Sequence, residues 1–186
     1  SEFEIADAYP KIIPDLKTEL NDVYADFANE EIPPKKIEID REIRFIDAIT
    51  EALDESMQRY PDLVMMGQDI AEYGGAFKVT EGFYSKYGKD RVRNTPICEA
   101  AVVGAGLGLS ISGQKSMVEM QFSDFVSEGF NQIVNNLAKS HYRWGQNADV
   151  VIRMPTGGGV AAGPFHSQST EAWFTKIPGL KVVYPS

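Results

Sequence analysis

Apolar residues follow two different rhythms along this chain. Ile46, Ile49, Leu53 and Met57 recur at three- and four-residue steps, the stripe of an amphipathic helix, and Tyr60-Pro61 closes it. Leu63-Val64-Met65-Met66 is a continuous apolar run, the pattern of a strand buried on both faces. Residues 67–88 are rich in glycine and aromatic side chains, which predicts a loop followed by a helix around 81–87. Residues 91–95 then read as a short strand, 100–109 as a helix of small apolar residues, and 116–120 as a strand. Phe130, Ile133, Val134, Leu137 and Ala138 mark a longer helix, and 149–154 a strand ended by Pro155. A loop with four glycines covers 156–163, a short helix is expected around 170–176, and a last strand over 180–184. Strands alternating with helices predict an α/β fold, a parallel sheet with helices on both faces.

The first 36 residues differ from the rest. Leu16, Leu20, Val23, Tyr24 and Phe27 lie on one helical stripe, with Asp15 placed to cap it. A helix-breaking Pro33-Pro34 spacer follows. Residues 1–35 hold nine acids against three lysines, most of the net charge of −9. A lone helix ahead of a Pro-Pro spacer has little of its own to pack on. Residues 1–36 therefore read as an acidic helical linker or the tail of a preceding region, and 37–186 as the main domain. The strand ending beside Tyr184 suggests a piece of something larger.

The acidic balance argues against nucleic acid or an anionic membrane surface as the main partner. A single cysteine, Cys98, excludes an internal disulfide framework and suits a reducing, cytoplasmic setting. No apolar run reaches the length of a membrane helix.

Several motifs have attractive but weaker readings. Val103-Gly104-Ala105-Gly106-Leu107-Gly108 looks like a dinucleotide fingerprint, but Leu109 stands where the third glycine belongs. Ala100, Gly104 and Gly108 recur every four positions, which favours a close helix–helix contact, within the chain or between subunits, instead. Thr156-Gly157-Gly158-Gly159 lacks the Lys-Ser/Thr of a phosphate loop. Cys98 with His141 or His166 could pair as nucleophile and base, yet the apolar setting of Cys98 favours inert packing. Two histidines without clustered carboxylates argue against an all-protein metal site. Glu99 is more telling, because a carboxylate at the start of an apolar helix needs either the helix dipole or a polar partner. His166, in a loop between glycines and a helix start, is a better candidate for chemistry than His141 on a helix face.

Met66-Gly67-Gln68-Asp69-Ile70, Gly74-Gly75-Ala76-Phe77-Lys78-Val79-Thr80, Asn94-Thr95-Pro96-Ile97-Cys98-Glu99, Glu119-Met120-Gln121-Phe122-Ser123-Asp124-Phe125 and Phe165-His166-Ser167-Gln168-Ser169 occur in that order. Together they resemble the β subunit of the thiamine-diphosphate-dependent first component of 2-oxoacid dehydrogenase complexes. The resemblance covers about residues 42–186 and implies the pyrimidine-binding domain of the transketolase-like superfamily. The preceding tail more weakly resembles the end of an α subunit fused to a β subunit.

The resemblance implies a role for each motif. Glu99 would hydrogen-bond a nitrogen of the cofactor's pyrimidine ring and so promote loss of the thiazolium proton. The cofactor would then hold the electrons released with carbon dioxide from a pyruvate or branched-chain 2-oxoacid. Ile97 and Phe125 would pack on the pyrimidine faces, with Gln121 along the same wall. His166 would position substrate and move a proton as the acyl group passes to a lipoyl-bearing acyltransferase. Many relatives carry an acid at the position of Gln68, part of a proposed relay between paired sites, and Phe125 replaces a tyrosine of some relatives. The family's Gly-Asp-Gly diphosphate and magnesium motif is not in this chain. The resemblance therefore implies a separate α region as partner, a homo-oligomeric whole, and a fragment inactive alone. Another transketolase-like synthase and a non-catalytic assembly module are the competing readings.

Overall fold

In the computed structural model, which describes residues 1–26, 33 and 41–185, the apolar run becomes strand β1 (Val64–Gly67), all four of its residues buried. Its alternation serves both faces at once: Val64 and Met66 join one apolar cluster, Met65 the other. Among the described residues the sheet has four parallel strands in the order β2 (Val92–Asn94), β1, β3 (Ser116–Glu119), β4 (Val150–Arg153).

Helices cover both faces. Helix α3 (Phe45–Arg59) and α4 (Phe83–Tyr87) pack Met57 and Phe83 against Met65, Val92 and Met117. Lys86 and Tyr87 both donate to Asp54 of α3, at 2.6 Å in each case, which holds that carboxyl below its usual range. Arg91 donates to the carbonyls of Met57 and Tyr60 at 2.8 and 2.7 Å, tying down the end of α3. On the other face, α5 (Glu99–Ile111) and α6 (Val126–Asn131) bring Val102, Val103 and Val126 onto Val64, Met66 and Val118. Beyond α6 the helix widens over Gln132–Leu137, where Ala138 N donates to Ile133 O five residues back, and ends after α7 (Ser140–Trp144).

Ahead of the domain lie two short exposed helices, α1 (Glu2–Asp7) and α2 (Leu16–Asn21). Asp15 caps α2 by accepting from Thr18 N at 3.0 Å. Helix α2 ends at Asn21, so Val23 and Tyr24 of the expected stripe lie beyond it, while Phe27 and most of the Pro-Pro spacer lie outside the described residues.

Two expectations change. Residues 180–184 form no strand; Val183 and Tyr184 are exposed, because β-branched content alone supplies no neighbour to pair with. The short helix near 170–176 is one tight turn, Glu171–Trp173. Among the described residues the glycine stripe meets no neighbouring helix within this chain. A Cβ on Gly104 or Gly108 would meet nothing within 4 Å, so these face open space. Close approach falls instead on Gly106, whose Cβ would lie 3.1 Å from Val118 and 3.2 Å from Val150, and on Gly129, 3.4 Å from Val103. Gly106→Val is therefore expected to cost about 1–3 kcal/mol by overpacking. Gly104→Ala should cost nothing within the domain and gain about 1 kcal/mol of helix propensity. Urea melts of the two variants check this contrast.

Candidate active site at the carboxyl edge of the sheet

The connections out of β1 and β3 leave in opposite directions, one toward β2 and the other toward β4. In parallel sheets such a switch opens a crevice at the carboxyl ends of the strands. Here that crevice is bounded by Gln68 and Asp69 after β1, residues 95–98 after β2, and residues 120–125 after β3.

Glu99 begins α5 directly behind this edge and is 8% exposed. Gln68 Nε2 donates to its Oε1 at 3.0 Å, and the helix N-terminus supplies further favourable potential for a carboxylate. Beside it, Gln121 Nε2 donates to Asp69 Oδ2 at 3.3 Å across the switch point. Asp69 sits at φ 57°, a left-handed conformation that turns the chain sharply out of β1. Asn94 accepts from Ala71 N and donates to Glu72, both at 2.8 Å, so the end of β2 holds the loop that follows β1.

The other wall is aromatic. Phe122 packs on Phe77, Phe125 and His166, with ring centres 5.5, 6.0 and 5.1 Å away. Phe125 meets His166 at 5.3 Å, and both contacts of the imidazole are perpendicular. These edge-to-face arrangements are the favoured ones for aromatic pairs. Gly129 of α6, one turn beyond Phe125, lies over the backbone of Glu99, which places the carboxylate and the aromatic wall on adjoining elements.

The structure thus joins Phe125 to His166 directly, and Gln121 to Glu99 through the adjacent pair Asp69 and Gln68. Ile97 stands apart, 82% exposed on the same edge. Cys98 is half-buried as the residue preceding α5, and its thiol lies 3.4 Å from Pro96 O. His141 is on α7, outside this group, with a buried Nδ1 that has no partner.

Sequence reasoning missed three features. Gln68 is a direct partner of Glu99, and Phe122 is the centre of the aromatic cluster. Beneath the site, Arg153 Nη1 donates to Glu119 Oε2 at 2.7 Å, with the two side chains 17% and 4% exposed. Burial pushes the Glu119 carboxyl above its usual range, and the Arg153 charge and hydrogen bond pull against that. The signal was available: Ser-Met-Val-Glu-Met and Val-Val-Ile-Arg-Met align in parallel, acid opposite base.

Among the described residues no group of three or more His, Cys, Asp or Glu could hold a metal ion, and no helix is long and apolar enough to cross a membrane. One buried carboxylate, two side-chain amides and an aromatic wall on one sheet edge suit a flat heterocycle with ring nitrogens. Thr95 Oγ1, at the same edge, is buried without a partner.

The fold is that of a pyrimidine-binding domain of the transketolase type. Residues 41–186 match the family described as transketolase, pyrimidine binding domain, and the chain belongs to it. Among curated proteins it is 43% identical to the 2-oxoisovalerate dehydrogenase subunit beta of Bacillus subtilis, over 76% of this chain and 44% of that protein. It is 40% identical to the mitochondrial pyruvate dehydrogenase E1 component subunit beta of Dictyostelium discoideum, over 78% of this chain and 41% of that one. The chain thus spans less than half the length of these relatives. A solved structure titled split gene transketolase, inactive beta4 tetramer, shares the fold with a TM-score of 0.52 at 22% identity, covering 71% of this chain and 40% of its own.

Proposed function

We propose that this chain supplies the pyrimidine-binding half of the active site of a thiamine-diphosphate-dependent 2-oxoacid dehydrogenase acting on pyruvate or a branched-chain 2-oxoacid. The observation that carries the proposal is Glu99, a carboxylate 8% exposed at the switch-point crevice, with Oε1 held by Gln68. That bond leaves Oε2 to meet a ring nitrogen of the cofactor. Phe125 would pack on one ring face, and Ile97, exposed on the same edge, would close on the other, while Gln121, bonded to Asp69, lines the wall. Bound thiamine diphosphate supplies the electron sink for decarboxylation. Glu99 holds and exchanges the proton at the ring nitrogen, while the apolar wall excludes water. His166, oriented by Phe122 and Phe125, positions the 2-oxoacid and moves a proton as the acyl group leaves for a lipoyl arm. The identities to β subunits of both pyruvate and 2-oxoisovalerate dehydrogenases support this reading.

Diphosphate and magnesium fall to a separate α region, so the chain alone is expected to be inactive, and the working protein is a cytoplasmic oligomer. Co-purification with the α region, followed by assays of carbon dioxide release from pyruvate and from branched-chain 2-oxoacids, tests the proposal. Turnover only in the reconstituted protein is expected. Turnover by the chain alone, or none after reconstitution, would refute it.

A further inference from the structure

His166 belongs to a loop whose composition does not fix it. Between Thr156 and Gln168 the chain carries Gly157 at φ 120°, Ala161 at φ 54° and Gly163 at φ 78°. Such a segment has many accessible conformations and loses much entropy when one is selected. The neck of the loop is tightly closed. Thr156 Oγ1 donates to Gln168 O at 2.8 Å, and Ser123 Oγ lies 3.0 Å from Thr156 Oγ1 and 3.1 Å from Gln168 O. Gln168 N donates to Asp124 Oδ1 at 3.2 Å, and Ser123 N donates to Pro155 O at 2.8 Å. Ser123 is 1% exposed and Asp124 is buried, whereas Thr156 is half-buried and Gln168 exposed, so the neck is shielded from water on its Ser123 and Asp124 side.

We propose that Ser123, Asp124 and Thr156 form a clasp that positions His166. Gln168 is two residues from His166, so fixing its backbone at both N–H and C=O limits where the imidazole can travel. The same segment that supplies the clasp also supplies Phe122 and Phe125, the two rings that the imidazole meets at right angles. One rigid stretch, 122–125, therefore sets both the anchor and the wall. Ser167 Oγ accepts from Ala162 N at 3.0 Å and folds the loop back on itself above the neck. The clasp residues are positioning residues: they act through His166, and their effect on turnover rests on the role proposed above for that histidine.

The test is made on the complete protein with its α region. Hydrogen–deuterium exchange over residues 157–167 is compared among wild type, Ser123→Ala/Thr156→Val and Thr156→Ser, alongside kcat and KM for the 2-oxoacid. The double variant should raise exchange in this loop at least tenfold and lower kcat nearly as far as His166→Ala, with no further loss when the two are combined. Thr156→Ser, which keeps the hydroxyl, should restore wild-type exchange. Unchanged exchange in the double variant overturns the clasp. A general rise in exchange that reaches β1 and α5 also overturns it, because the hydroxyls would then serve the fold rather than the loop. Raised loop exchange with turnover unaffected even by His166→Ala supports the clasp and instead removes the role proposed for His166.

Discussion

Glu99→Gln is expected to lower kcat of the reconstituted protein by roughly 10²–10⁴-fold, the range for loss of a positioned proton-transfer group. The substitution is nearly isosteric, and its amide oxygen can still accept from Gln68, so the start of α5 keeps its shape. What disappears is the exchangeable proton at a place 8% exposed, where water is a poor substitute. Steady-state kinetics of wild type and variant, with circular dichroism to confirm an unchanged fold, check this. A kcat within a few-fold of wild type would mean that Glu99 is no more than a helix-start acid.

Arg153→Met is expected to be the most damaging single change to stability. It strands the Glu119 carboxylate, 4% exposed, without its cation, and breaking a buried pair from one side costs about 3–5 kcal/mol. The cost should depend on pH. Burial raises the folded-state pKa of Glu119 above its unfolded value, so the favourable neutral form is fully present below the ordinary carboxylate range and is lost as pH rises through the folded value. Without Arg153 the raising cause acts unopposed and that window extends upward. The variant should therefore lie closest to wild type in acid and fall furthest behind at and above neutral pH. Thermal melts of both proteins at pH 5 and pH 8 measure this; an equal gap at the two pH values would contradict it.

The periodic parts of the fold were legible because burial imposes them. The run at 63–66 had to be a strand covered on both faces, and Met65 and Met66 do serve opposite cores. The awkward acid at the head of an apolar helix pointed to a buried carboxylate, and Glu99 is one. Residues 180–184 misled because strand propensity says nothing about whether an edge is available. The stripe of Ala100, Gly104 and Gly108 marks a smooth helix face; within this chain Gly104 and Gly108 face open space, and the close approach of the sheet falls on Gly106, which spacing alone does not single out. Ser123, Thr156 and Gln168 were illegible for a different reason. The hydrogen bonds of Ser123 to Thr156 and Gln168 join segments more than thirty residues apart, and no local pattern encodes that encounter.

Calorimetric titration of thiamine diphosphate with magnesium is the most direct test of whether this chain is half of a cofactor site. It should be run on the chain alone, on the chain with its α region, and on that assembly carrying Glu99→Gln. Binding is predicted only when the α region is present, and more weakly in the variant. Equal binding by the chain alone, or no binding in any of the three, would contradict a shared site centred on Glu99.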